Sequence, residues 1–224
     1  MDDSLRKVSL FAGLDDASWE SLRSRLRSST HPRGAVIFAE GDSGGELHVI
    51  LSGKVKISRA AVDGRENLLA VLGPGDLFGE LSLFNPGPRT ATAATATDVQ
   101  LATFAHDDLR PVIIEQPEVA AELLRVLAER LRQTNDAMAD LVFTDVPGRV
   151  AKALLSLGER FGETDKDGVR VHHDLTQEEL AQLVGASRET VNKALSDFGT
   201  RGWLRVDGRT VVLLDLERLR RRAR

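Results

Sequence analysis

The chain has 224 residues, 42% apolar and 29% charged, enough to bury the cores of one or two ordinary domains. It contains no cysteine, which excludes disulfide frameworks, thiolate metal sites, iron–sulfur clusters and cysteine nucleophiles. No run approaches the roughly 18 apolar residues of a membrane span, and the acidic start at Asp2-Asp3 is unlike a signal peptide, so a cytoplasmic protein with no membrane partner is expected.

The net charge of −4 conceals an asymmetry. Residues 1–145 carry 15 Lys and Arg against 22 Asp and Glu, whereas residues 146–224 carry 15 against 12. The acidity belongs to the first part, and the second is basic enough to meet phosphates.

In chain order, the first 27 residues read as a short helical cap with Leu14, Leu22 and Leu26 among charges. From Arg33 to about Phe104, short apolar runs alternate with turn signals at Gly41, Gly44-Gly45, Gly53, Asp63-Gly64 and Gly73-Pro74-Gly75. That texture predicts an antiparallel sandwich or jelly roll. Residues 117–143 then carry the longest helical signal. Ala120, Leu124, Leu127, Leu131, Thr134, Met138 and Leu141 recur at spacings of 4 and 3, a heptad seam suited to a two-chain coiled coil or to burial within a monomer. A second stripe, Val119, Leu123 and Val126, is placed to pack on the chain's own β domain. Asp145 and Pro147 break the helix and open another, with Val150, Leu154, Leu157 and Phe161 as its buried face.

Residues 175–198 read LTQEELAQLVGASRETVNKALSDF. Thr176 and Glu179 form a capping box for a helix over 177–184, Gly185 supplies a turn, and Ser187 caps a second helix of about twelve residues. On the second helix Val191, Leu195 and Phe198 face the core, leaving Arg188, Glu189, Asn192 and Lys193 outward. This is the pattern of a helix–turn–helix, whose second helix reads base edges in the major groove. Arg suits guanine and Glu suits the cytosine amino group, while Thr176, Ser187 and Thr190 suit phosphates. The simpler reading of Glu189 and Lys193 is a surface i,i+4 pair. An Asp207-Gly208 hairpin follows, completing a winged helix, with Arg205 and Arg209 beside its turn. The terminal arginines from Arg220 onward are either further phosphate contacts or merely solvated.

Inside the β domain, residues 78–90 read FGELSLFNPGPRT. Gly79 permits close backbone approach, residues 81–84 can make one helical turn, Arg89 offers one cation and Thr90 a hydroxyl. Glu80 repels phosphate and so needs another partner, such as a sugar hydroxyl. One cation and one carboxylate together suit a cyclic nucleotide, and they suit a plain Glu80–Arg89 ion pair equally well. No dinucleotide or triphosphate loop motif is present.

The segments PRGAVIFAEGD, SGKVKI, DGRENLL, FGELSLFNPGPRTATA, DVPGRVAKALL and LTQEELAQLVGASRETVNKAL, in this order, resemble the cyclic AMP receptor protein branch of the Crp/Fnr regulators. The DGREN and PGPRT stretches resemble its actinobacterial members. The resemblance implies an α+β protein: a cyclic-nucleotide-binding β-roll (1–116), a dimerisation helix (117–144) and a winged helix–turn–helix (145–224). It further implies that Gly79, Glu80, Leu81 and Ser82 line the ribose and phosphate and that Arg89 and Thr90 hold the phosphate. On the same resemblance, Arg130 would brace Glu80 and the ribose, and Thr134 with Asn135 of the opposite subunit would meet adenine. The implied partners are palindromic double-stranded DNA with TGTGA-type half-sites, read through Thr176, Ser187, Arg188, Glu189, Thr190, Asn192, Lys193 and Arg209, a second copy of the chain, and RNA polymerase. The sequence departs from enterobacterial members at Asn135, where they carry Ser, and at Lys193, where they carry Arg; a Lys lacks the bidentate fork.

Two rival readings remain. A regulator of the same fold with another trigger leaves only His-ligated haem, drawn from His31, His48, His106, His172 and His173. A nucleotide hydrolase lacks both a His/Asp cluster of suitable spacing and a nucleophile beside a base, so no metal and no catalytic residue are expected.

Overall fold

The structure, a computed structural model, describes residues 5–6, 8–61 and 64–224. The chain forms two compact units, one of residues 1–59 with 70–133, the other of 60–69 with 134–224.

Among the described residues, helices α1 (Ser9–Ala12) and α2 (Asp16–Arg23) precede eight strands: β1 (Arg27–His31), β2 (Val36–Phe38), β3 (Glu46–Ser52), β4 (Val55–Ala60), β5 (Glu66–Leu72), β6 (Leu77–Phe78), β7 (Thr92–Thr95) and β8 (Val99–Ala105); all belong to the first unit except residue 60 of β4 and residues 66–69 of β5. They form two four-stranded sheets, ordered β1-β8-β3-β6 and β2-β7-β4-β5. Strands distant in sequence are neighbours, as in a jelly roll. Of the predicted Asp63-Gly64 turn, Asp63 lies outside the described residues. One core gathers Ile50, Val55, Phe78, Val99 and Leu101. The other brings Leu14 and Leu22 of the helical cap against Leu47, Phe104, Val119 and Leu123.

Helix α3 (Leu81–Phe84) is the single turn expected between β6 and β7. Helix α4 (His106–Glu115) follows β8 and leads into α5 (Pro117–Phe143), 27 residues long. Val119 and Leu123 are buried in the first unit's core and Val126 packs against it, so the second stripe does what its spacing requires. The heptad seam is not buried within the chain: Leu124, Leu131 and Met138 are 64%, 63% and 63% exposed.

The second unit contains α6 (Val146–Phe161), β9 (Gly162–Asp165), β10 (Gly168–His172), α7 (Gln177–Val184), α8 (Arg188–Thr200), β11 (Leu204–Asp207), β12 (Thr210–Leu213) and α9 (Leu216–Arg222). Its sheet runs β11-β12-β10-β9. The Asp145 side chain caps α6 by accepting from Gly148 N at 3.0 Å, and Pro147 sits in the first turn, where its missing N–H costs nothing. Val150, Leu154 and Leu157 are buried as expected. Phe161 is only half-buried, because it closes the last turn and takes the Arg160 guanidinium over its ring. The terminal arginines from Arg220 onward, read from sequence as phosphate contacts or as merely solvated, belong in part to helix α9, which is anchored by the fully buried Leu219. Three of its arginines are paired, Arg218 with Asp215, Arg221 with Glu217 and Arg222 with Asp145.

Candidate ligand pocket and nucleic-acid interface

The segment 78–90 builds a polar niche in the wall of the β-roll. Gly79 has φ +85°, and a Cβ there would lie 2.6 Å from Arg89 Nη1 and 2.7 Å from the Glu46 carbonyl. Only glycine permits both that backbone conformation and that approach. Arg89 is buried, and its guanidinium is held from several sides. Nη1 donates to the Gly79 carbonyl at 3.0 Å and to Ser82 Oγ at 3.3 Å, and Nη2 donates to the Glu46 carbonyl at 2.9 Å. The Phe38 ring lies against its face at 4.1 Å, a cation–π contact. Burial pulls the Arg89 pKa below the usual arginine value, opposed by the nearby Glu46, Glu80 and Asp42 carboxylates. Its Nε–H is buried without a partner. A desolvated donor of this kind is costly unless an acceptor reaches it.

Glu80, 2% exposed, accepts from Arg130 Nη1 at 2.5 Å, and Arg130 Nη2 also donates to the Leu77 carbonyl. Glu80 therefore takes Arg130 as its ion-pair partner, while Arg89 is fastened by carbonyls and a hydroxyl. That arrangement differs from the simple Glu80–Arg89 pair that the sequence left open. Ser82 is buried beside Gly44, whose Cβ would come within 2.5 Å of Ser82 Oγ, whereas Leu81 and Thr90 are exposed at the rim. Thr134 and Asn135 lie on the exposed face of α5.

Two histidines missed by sequence reasoning as part of this niche sit behind it. His48 stacks on Phe78 with ring centroids 5.0 Å apart and shares a 2.9 Å hydrogen bond with Thr103. Burial first, and Arg89 next, push its pKa down to about 3, so it is neutral. The His106 pKa is lowered by the same two causes. Their signal in the sequence was slight, because a lone histidine, in an apolar strand as His48 is or at a helix start as His106 is, carries no spacing to interpret. Among the described residues no group of three or more His, Asp or Glu side chains is arranged to hold a metal.

In the second unit, the capping box is complete. Thr176 Oγ1 accepts from Glu179 N at 3.1 Å, and Glu179 Oε2 accepts from Thr176 N at 2.7 Å. Gly185 turns the chain with φ +67°, and Ser187 Oγ caps α8 by accepting from Thr190 N at 3.2 Å. Val191, Leu195 and Phe198 are buried, fixing α8 with Arg188, Glu189 and Lys193 exposed and Asn192 half-buried. The predicted wing forms, with Asp207 opposite Thr210 across a turn at Gly208. At the turn Arg209 is exposed; Arg205 points back to Asp167 at 3.4 Å. His172 and His173 face opposite sides, one exposed and one buried, as alternation along a strand requires.

A β-roll with a buried cation and carboxylate, followed by a winged helix–turn–helix, defines a protein that joins a ligand-binding fold to a DNA-reading one. Comparison with known proteins agrees: residues 29–116 match the cyclic nucleotide-binding domain, and residues 148–222 match the Crp-like helix-turn-helix domain. The chain belongs to the Crp family of DNA-binding transcription regulators, and is not an enzyme. It is 56% identical, over the whole of both chains, to the CRP-like cAMP-activated global transcriptional regulator of Mycobacterium tuberculosis. It is 37% identical to the cyclic AMP receptor protein of Thermus thermophilus, covering 90% of each chain. Among solved structures, it resembles the c-di-GMP responsive global regulator CLP of Xanthomonas campestris. The TM-score is 0.74 at 28% identity, covering 89% of this chain and 99% of that one. No helix among the described residues is long and apolar enough to cross a membrane.

Proposed function

We propose that the protein is a homodimeric regulator that binds cyclic AMP in the β-roll and, in that state, reads a palindromic operator. The observation that carries the reading is Arg89: a buried cation whose Nη1 is taken up by Gly79 and Ser82 while its Nε–H stays unpartnered, next to a buried carboxylate braced by Arg130. A cyclic phosphate carries one negative charge, which one arginine neutralises. In this reading Arg89 and Thr90 hold the phosphate, with backbone of Gly79, Leu81 and Ser82 around it. Glu80 keeps an oxygen for the ribose 2′-hydroxyl. Thr134, with Asn135 of the partner subunit, meets adenine. The full-length relative from Mycobacterium tuberculosis, named as cAMP-activated, supports the choice of nucleotide.

Dimerisation through α5 is supported by the seven-residue seam, of which Leu124, Leu131, Met138 and Leu141 lie exposed in the single chain. A two-fold dimer presents two recognition helices about 34 Å apart, matching half-sites one turn of DNA apart. The same reading extends, by resemblance to the family, to TGTGA-type half-sites and contact with RNA polymerase. The exposed Arg188 at the first turn of α8 is the principal base reader. Replacing it by alanine is expected to cost about 1–3 kcal/mol on operator DNA while leaving random DNA nearly unaffected. Equal losses on both would remove it from base reading.

Calorimetric titration with cyclic AMP, cyclic GMP and cyclic di-GMP tests the pocket. Saturable binding of cyclic AMP at one site per subunit is expected. Binding of cyclic di-GMP alone, or of none of the three, would contradict the assignment.

A further inference from the structure

The basic residues that close the sequence are held in a fixed place. Helix α9 buries Leu219 completely and packs on α6. At its far end Arg222 Nη2 lies 2.5 Å from Asp145 Oδ2, and Asp145 is the residue that caps α6. A Cβ at Gly148 would stand 3.2 Å from Arg222 Nη1, so glycine leaves the guanidinium room to settle on the first turn of α6. Residues 217–224 carry five arginines against one carboxylate, Glu217. Three are compensated, Arg218 by Asp215, Arg221 by Glu217 and Arg222 by Asp145. Arg220 and Arg224 are exposed and enter none of these pairs.

The same turn of α6 touches the entry to the recognition helix. Arg149 donates to the carbonyls of Thr144, Val184 and Gly185 at 2.7, 3.0 and 3.2 Å. Val184 ends α7, Gly185 turns the chain, and Ser187 then caps α8. Residues 145–149 therefore meet both the arginine end of α9 and the turn that opens α8. A helix with its side chains is about 10–12 Å across, so these two lie on the order of 10 Å apart. Duplex DNA carries one phosphate charge per about 1.7 Å of its axis, so a duplex that reaches α8 presents several phosphates over such a span.

We propose that Arg220 and Arg224 form a sequence-independent clamp on the DNA phosphate backbone, beside the half-site that α8 reads. The clamp rests on the DNA-reading part of the function above and is independent of the nucleotide. Charge complementarity and continuity with the recognition helix carry it. Anchoring by Leu219 and Arg222 holds the two guanidinium groups in place, so less ordering entropy is lost on binding than with a loose tail. Phosphate contacts carry no sequence information, so the clamp adds affinity on any duplex. The competing role for such arginines is to complement the backbone dipoles at a helix C-terminus, which needs no partner.

The test compares the full-length parent with two double variants, Arg220→Gln with Arg224→Gln and Arg220→Lys with Arg224→Lys. Each is titrated on operator and scrambled duplexes between about 50 and 200 mM salt, at saturating cyclic AMP. Each lost phosphate contact is expected to flatten the slope of log affinity against log salt by about 0.9, hence by about 1.8 for each bound subunit of the glutamine variant. Affinity is expected to fall by the same factor on both duplexes, and the lysine variant, which keeps the charge, to retain the parental slope. Thermal melts establish that each variant is folded. Unchanged slopes in the glutamine variant would leave the two arginines to the helix dipole and to solvent and would overturn the clamp. A loss confined to the operator would overturn its independence of sequence. If the double variant does not fold, Arg220→Gln and Arg224→Gln singly decide, each with an expected flattening of about 0.9 per subunit. A parent that binds both duplexes equally would overturn the operator reading, and the salt slopes would still decide the clamp.

Discussion

Glutamine at position 89 is expected to weaken cyclic AMP binding by about 100-fold or more while the β-roll stays folded. Each charge-assisted hydrogen bond to phosphate is worth about 1.5–3 kcal/mol, and about 1.4 kcal/mol is a factor of ten, so losing two bonds and the cation amounts to at least two decades. Arg89 has the donors for this: its Nε–H is buried and unpartnered, and Nη2 carries a second N–H beyond the one given to the Glu46 carbonyl, while Nη1 holds Gly79 and Ser82. Glutamine keeps an amide that can serve one of those acceptors, so the variant isolates the loss of the cation better than alanine would. Calorimetry alongside a thermal melt separates the two effects. An affinity within threefold of the parent would take Arg89 out of the phosphate site.

Charge in the α5 seam is expected to act on DNA binding without touching the recognition helix. Leu131 is 63% exposed in the single chain and sits between Leu124 and Met138 in the heptad row. Burying a leucine contributes about 1.5–3 kcal/mol, and two-fold symmetry counts each position twice. Leu131→Glu removes both contributions and sets two carboxylates against each other in the seam. The variant is expected to sediment as a monomer at micromolar concentration. Its affinity for a palindromic operator should fall by about 1,000-fold, because a lone subunit reads one half-site. A variant that stays dimeric with unchanged operator affinity would mean that α5 is not the interface.

Legibility from sequence followed the strength of local rules. The helix–turn–helix was legible almost to the atom, because a capping box, an αL glycine and an N-cap serine each demand a specific residue at a specific position, and all three occur within twelve residues. The β-roll was legible as a class, since turn residues at short intervals bound its strands, but pairing was not. That β1 lies beside β8 is decided by distant packing and not by anything near Arg27. Helix α4 was missed because Pro111 interrupts its pattern, and α9 because only Leu216 and Leu219 show between its charges.

The pocket was half legible. A glycine, a carboxylate and an arginine at the spacing of residues 79–89 suggested a cyclic nucleotide, yet the sequence could not tell whether Glu80 and Arg89 bond to each other. The structure gives Glu80 to Arg130, fifty residues away on another element, and fastens Arg89 to backbone carbonyls of Glu46 and Gly79. Carbonyl partners leave no trace in residue identity. For the same reason nothing in the sequence marked Arg149, whose three acceptors are all main-chain oxygens. Arg205, whose place beside the wing suggested phosphate, lies 3.4 Å from Asp167, a partner that sequence spacing also did not mark.

The most direct measurement is the affinity of the purified chain for a labelled palindromic duplex, titrated at one stated salt concentration with and without saturating cyclic AMP, and again on a scrambled duplex. Salt must be held fixed because phosphate contacts make every such affinity depend on it. Cyclic AMP is expected to raise affinity for the palindrome by about fivefold to 150-fold while leaving the scrambled duplex nearly unchanged. Equal affinity for the palindrome in the presence and absence of the nucleotide would contradict the account.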